Sequence, residues 1–169
     1  QLQREVNVWK NLHHPHVLQF IGLCTLGPST YMVSPWMENG DILSYLKLYT
    51  EVNPLKLLLQ AAKGLEYLHT FKPTVVHGDI KGVSAFANIF VSKSGEATIA
   101  DFGLSEMTTE GNLANNSTEF YMAGSRRWQA PELVRAETKL QAQRTTASDI
   151  FAFGLVAVEV STPPIRHDS

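Results

Sequence analysis

Three short motifs in a fixed order constrain this chain more than anything else in it. His77-Gly78-Asp79-Ile80-Lys81 comes first, Asp101-Phe102-Gly103 second and Ala130-Pro131-Glu132 third. Any one of these triplets occurs by chance in unrelated chains; all three in this order do not. Each aspartate follows a short apolar run, Val75-Val76 before the first and Ala97-Thr98-Ile99-Ala100 before the second. Two carboxylates are thereby expected on loops at strand ends, where a rigid scaffold presents reactive groups. An isolated aspartate after a turn is more often a cap or a turn former, so the joint pattern carries the argument.

The 169 residues are enough for one domain with a real core. With 44% hydrophobic and 18% charged residues the composition is that of a globular chain. A net charge of -2 gives no basic surplus for nucleic acid. No apolar run approaches the ~20 residues of a membrane span. Cys24, the single cysteine, lies in an apolar run and reads as a buried, reduced thiol in a cytoplasmic setting. His13, His14 and His16 lack the partner cysteines of a zinc site. No G-x-S-x-G nucleophile elbow occurs. The chain opens on Gln1 rather than Met, so further sequence is expected upstream.

Leu2, Val6 and Trp9 recur at helical spacing, predicting a helix from Gln1 to Leu12 that His14-Pro15 breaks. Val17 to Leu23 reads as a strand, Leu26-Gly27-Pro28 as a turn and Tyr31-Met32-Val33 as its antiparallel partner. Asp41 is placed to cap a helix from Ile42 to Leu48. Asn53-Pro54 starts a long helix whose buried face is expected at Leu55, Leu58, Leu59, Ala62, Leu65 and Leu68. Ile89-Phe90-Val91 and Ala97 to Ala100 flank Ser94-Gly95 as a hairpin. Leu104 to Ser125 reads as a polar loop. Ser148 is the expected cap of a last helix with Ile150, Phe153, Ala157 and Val160 on its apolar face, ended by Pro163-Pro164.

Phosphoryl transfer needs metal ions held against phosphates and a carboxylate near the attacking hydroxyl. Asp79 is the candidate base, Lys81 a point charge for the transferring phosphate, and Asp101 and Asn88 candidate magnesium ligands. His77 reads as a packing residue. With these residues in view, the chain resembles the eukaryotic protein kinase catalytic domain, most like the tyrosine-kinase-like group. The resemblance implies an α+β, kinase-like fold: mostly the helical C-lobe, with a partial N-lobe of one helix and two strands. It implies an N-lobe part at 1–34, a hinge at 35–38 and a C-lobe from 39 to 169 that lacks the last helices.

The resemblance also implies that Arg4-Glu5-Val6 lies on the family's C helix, Glu5 being the partner of an ATP-positioning lysine. Ser34 takes the gatekeeper place, and the backbone of Pro35 and Met37 faces adenine. Trp9, Phe20, His77 and Phe102 form a column tied to Asp149, and Gly124 to Glu132 forms the substrate-docking segment. ATP and Mg2+ are the implied cofactors and a protein hydroxyl the substrate, serine or threonine favoured over tyrosine by Lys81.

Four departures qualify this. The glycine-rich loop and its following lysine are not in the sequence and would lie before Gln1. Gly78 replaces the arginine that commonly receives an activation-loop phosphate, so phosphorylation at Thr108, Thr109, Ser117 or Thr118 could not act through that pair. Asn88 lies nine residues after Asp79 rather than five; Val83-Ser84-Ala85-Phe86 reads as an insertion. Glu132 is expected to be a buried charge without its arginine, costing about 3–5 kcal/mol. The chain therefore reads as a truncated kinase domain, inactive when alone. A catalytically inactive kinase-like binding module, or a non-functional remnant, is the alternative.

Overall fold

The computed structural model of the chain describes residues 2–82, 87–102, 105–108, 126–138 and 140–162. Val83–Phe86, Thr109, Ser117, Thr118, most of the polar loop and Pro163-Pro164 lie outside the described residues. Helices and three two-stranded antiparallel sheets make the expected α+β architecture.

Helix α1 spans Leu2–Trp9 and buries Val6, Val8 and Trp9. Strands β1 (Gly22–Leu26) and β2 (Ser29–Val33) pair in register from Gly22 opposite Val33 to Leu26 opposite Ser29. The strand expected at 17–23 therefore begins five residues late. Val17 and Leu18 are pulled instead onto the 97–99 strand: Val17 bridges Ile99, and the Leu18 N–H donates to the Ile99 carbonyl at 2.7 Å. Burial of these two side chains outweighs their place in the hairpin. Cys24, expected in the core, is exposed on β1, because that hairpin covers neither of its own faces.

Asp41 caps α2 (Ile42–Leu48) as expected, accepting from the Leu43 and Ser44 N–H groups. Asn53 caps α3 (Pro54–Thr70), with Pro54 in the first turn. The buried face of α3 is Leu57, Leu58, Ala61, Gly64, Leu65 and Leu68, while Leu55 and Leu59 are exposed. The run of leucines left the phase ambiguous, and Gly64 decides it. A Cβ on Gly64 would stand 2.3 Å from the His16 carbonyl oxygen. The helix must therefore turn that residue toward the 13–16 segment. Gly64→Ala is expected to destabilise the domain by about 1–3 kcal/mol through this backbone clash, despite the ~1 kcal/mol that alanine gains over glycine in a helix. Thermal denaturation checks it, and an unchanged or raised midpoint contradicts it.

Strand β3 (Thr74–Val76) pairs with β6 (Glu106–Thr108), which falls inside the stretch expected to be irregular. Strands β4 (Ile89–Val91) and β5 (Ala97–Ile99) form the expected hairpin, with Gly95 at positive φ in the turn. A 3-10 turn at Arg126–Trp128 leads to α4 (Pro131–Val134). Glu132 on α4 is exposed, so the expected buried charge and its cost do not arise. Helix α5 (Thr146–Ser161) is capped by Thr145, not Ser148; Ser148 is the reciprocal partner in a capping box. It buries Ser148, Asp149, Ala152 and Val156, whereas Ile150 is exposed. Among the described residues no helix is long and apolar enough to cross a membrane.

Candidate active site

The loop after β3 is held from below by one carboxylate. Asp149, in the first turn of α5, is 2% exposed. Its Oδ2 accepts from the His77 N–H at 2.8 Å and its Oδ1 from the Gly78 N–H at 2.8 Å. His69, near the end of α3, reaches Oδ2 through Nε2 at 2.9 Å. Gly78 sits at φ 81°, a left-handed backbone that glycine adopts without a Cβ penalty. The missing arginine is thus replaced by a residue that suits the turn.

His77 is fully buried and structural, as expected. Its Nε2 lies 3.0 Å from the Ala100 carbonyl and donates to it, so Nδ1 accepts from the Asp79 N–H at 3.3 Å. One ring thereby ties the two aspartate loops together. Its edge also meets Phe102 at 5.5 Å, Phe102 meets Trp9 at 5.6 Å, and Trp9 meets Phe20 at 5.4 Å. This is the predicted aromatic column, and it links α1 to both loops.

Asp79, Lys81 and Asn88 come together directly. The Lys81 Nζ lies 2.5 Å from Asp79 Oδ2, and Lys81 is 6% exposed. Asn88 donates from Nδ2 to the Asp79 carbonyl at 2.6 Å and from its own N–H to the Lys81 carbonyl at 3.1 Å. Its carbonyl accepts from the Ala100 N–H at 2.9 Å. The first two bonds close the loop from outside residues 83–86.

Asn88 Oδ1 is buried and has no hydrogen-bond partner among the described residues. An unmet buried acceptor costs about 1–3 kcal/mol, and a hard oxygen held this way fits a divalent cation. Asp101 follows Ala100, whose N–H donates to the Asn88 carbonyl. It is exposed and held at φ 65°, a strained region for a residue with a Cβ. Glu5 is half-buried on α1. Burial first, and the Asp101 charge second, push its carboxyl pKa above the usual range. Helix α1 thus turns Glu5 toward the Asp101 loop. No group of three or more His, Cys, Asp or Glu among the described residues is arranged for a metal, so a cation here would draw its other ligands from water or substrate.

The linker residues make contacts of their own. Ser34 is half-buried, its hydroxyl 3.5 Å from the Pro35 carbonyl, and Pro35 and Trp36 are exposed. Met37 meets Thr98 of β5 through sulfur at 4.0 Å. Sequence reasoning missed one further group, Glu159 with Arg127 and Trp128. Residues so far apart carry no motif, and only the fold joins them.

A sequence model of protein tyrosine and serine/threonine kinases matches residues 1–166. The chain belongs to this family. It is 31% identical over 166 residues to drkA of Dictyostelium discoideum, described as a probable serine/threonine-protein kinase, covering 96% of this chain and 24% of that protein. It is 31% identical over 165 residues to the serine/threonine-protein kinase CTR1 of Arabidopsis thaliana, covering 94% of this chain and 18% of that protein. The kinase chain thus spans a quarter or less of the length of these relatives.

Proposed function

We propose that this kinase chain is part of an ATP- and Mg2+-dependent enzyme that phosphorylates protein serine or threonine hydroxyls. The observation that carries the reading is the closure of Asn88 onto Asp79 and Lys81 with its Oδ1 unsatisfied. The family generally uses ATP with Mg2+. The relatives named as serine/threonine kinases favour those acceptors over tyrosine.

Asp79 accepts the proton of the substrate hydroxyl, within reach of the loop that Asp149 fixes. Lys81, held at Asp79 Oδ2, places a positive charge beside the transferring phosphate. Asn88 Oδ1 and the Asp101 carboxylate would hold the cation, which when bound would offset charge on the phosphates. Glu5, whose carboxyl feels the Asp101 charge, pairs with a cationic side chain that orients the nucleotide. Residues 35–38 act as the hinge between an N-lobe part at 1–34 and the C-lobe from 39. There Ser34 borders the adenine pocket, and Pro35 offers only its carbonyl. Met37 offers its N–H, and its carbonyl also accepts from the Gly40 N–H at 3.1 Å. Lacking a second cysteine for an internal disulfide, the chain suits a reducing cytoplasm.

The test is transfer of labelled phosphate from ATP to a general protein substrate by the full-length protein. Magnesium-dependent label on serine or threonine is expected, and chelation should abolish it. A folded protein that binds ATP yet transfers nothing would overturn the enzyme in favour of a binding module.

A further inference from the structure

Three hydrogen bonds meet in the segment 13–16, which follows α1, and two imidazoles brace it. The His16 carbonyl accepts from the Ile99 N–H at 2.9 Å, and the His14 carbonyl from the Val17 N–H at 3.1 Å. The His13 N–H donates to Tyr67 Oη of α3 at 2.9 Å. Helix α1, with Glu5, precedes this segment, and β5, which runs on to Asp101, is bonded to its far end.

The two rings answer a proton differently. His14 Nδ1 accepts from the His16 N–H at 3.1 Å, which only an unprotonated nitrogen can do. His16 Nδ1 stands 3.0 Å from the Ala97 carbonyl, so it carries a hydrogen and donates. A further proton on His16 Nε2 leaves that bond intact. The ring centroids are 5.6 Å apart, and His14 is stacked on Tyr67 at 4.9 Å with 16° between the planes. His14 is half-buried. Burial first, and the His16 charge second, hold its pKa below the usual 6.5; Glu66 on α3 works against this and Lys63 adds to it. Strand β5 brings no titratable side chain of its own.

We propose that His14 is a proton-operated latch: taking a proton at Nδ1 cancels its bond to the His16 N–H and loosens the join between α1 and β5. The role does not depend on phosphate transfer. The unfolded chain binds this proton more tightly than the folded one. The latch therefore contributes its stability above pH 6.5 and loses it as the pH falls below that value.

In the full-length protein, hydrogen-exchange protection of the His16 and Ile99 amides, corrected for the intrinsic rate at each pH, should fall about tenfold between about pH 8 and about pH 5, the scale of one hydrogen bond. His14→Asn supplies a side-chain oxygen for the same N–H and takes up no proton, so its protection should stay level over that range. Nitrogen-15 NMR of the wild-type imidazoles is the second measure, and it judges the latch even if the variant fails to fold. His14 should be the Nε2–H tautomer at about pH 8 and should gain its proton in step with the loss of protection. Neither measurement needs turnover, so a wild type that transfers no phosphate leaves this result standing. Protection that falls equally in wild type and His14→Asn overturns the proposal. So does an Nδ1–H tautomer of His14 at about pH 8.

Discussion

Asp149→Ala is expected to lower the unfolding free energy by about 3–5 kcal/mol, the range for stripping a partner from a buried charged network. The buried carboxylate satisfies the His77 and Gly78 N–H groups and meets the part-buried His69. Alanine leaves two amide donors unmet, each worth about 1–3 kcal/mol, and opens a small void beside them. Against a total stability of about 5–15 kcal/mol for a domain, the loss is large enough to show as a shifted urea midpoint. Asp149→Asn keeps one acceptor and should fall between alanine and wild type. A midpoint within about 1 kcal/mol of wild type for the alanine variant contradicts the assignment. Phosphate transfer should fall with it, since the loop bearing Asp79 loses its anchor.

Asp79→Asn is expected to reduce kcat by about a hundredfold to ten-thousandfold, the usual contribution of a positioned base. The amide still accepts from Lys81 Nζ, which separates loss of basicity from loss of packing. The KM for ATP should change little, because the candidate cation ligands are Asn88 and Asp101. Steady-state kinetics with both substrates varied decides this. A kcat within about tenfold of wild type would mean that Asp79 serves as a structural link between His77 and Asn88 and that proton removal lies elsewhere.

What the sequence conveyed best were groups whose role is local or whose spacing is fixed. Asn53-Pro54 and Asp41 announce their helices because a cap needs only its own turn. The aromatic column came from the family resemblance rather than from spacing or periodicity. The positions that failed depend on what packs from far away. Leu55 and Leu59 look as buried as Leu57 until Gly64 meets His16. Helix α5 is apolar nearly all round, so periodicity alone did not turn Asp149 inward; the family resemblance did, by tying the column to it. Cys24 sits among apolar neighbours on a hairpin that leaves both faces open. Thr145 displaced Ser148 as cap because the two side chains satisfy each other's backbone. Glu159 could not have been found from spacing at all.

The bond between the Asn88 N–H and the Lys81 carbonyl has a practical corollary. It brings the two ends of the extra segment together as neighbours in space, with the chemistry fastened on either side. Loop-closure entropy grows slowly, so doubling four residues to eight would cost only about 0.6 kcal/mol. Lengthening the chain between residues 82 and 87 is therefore expected to cost little stability, because Asn88 stays fastened to Asp79 and Lys81.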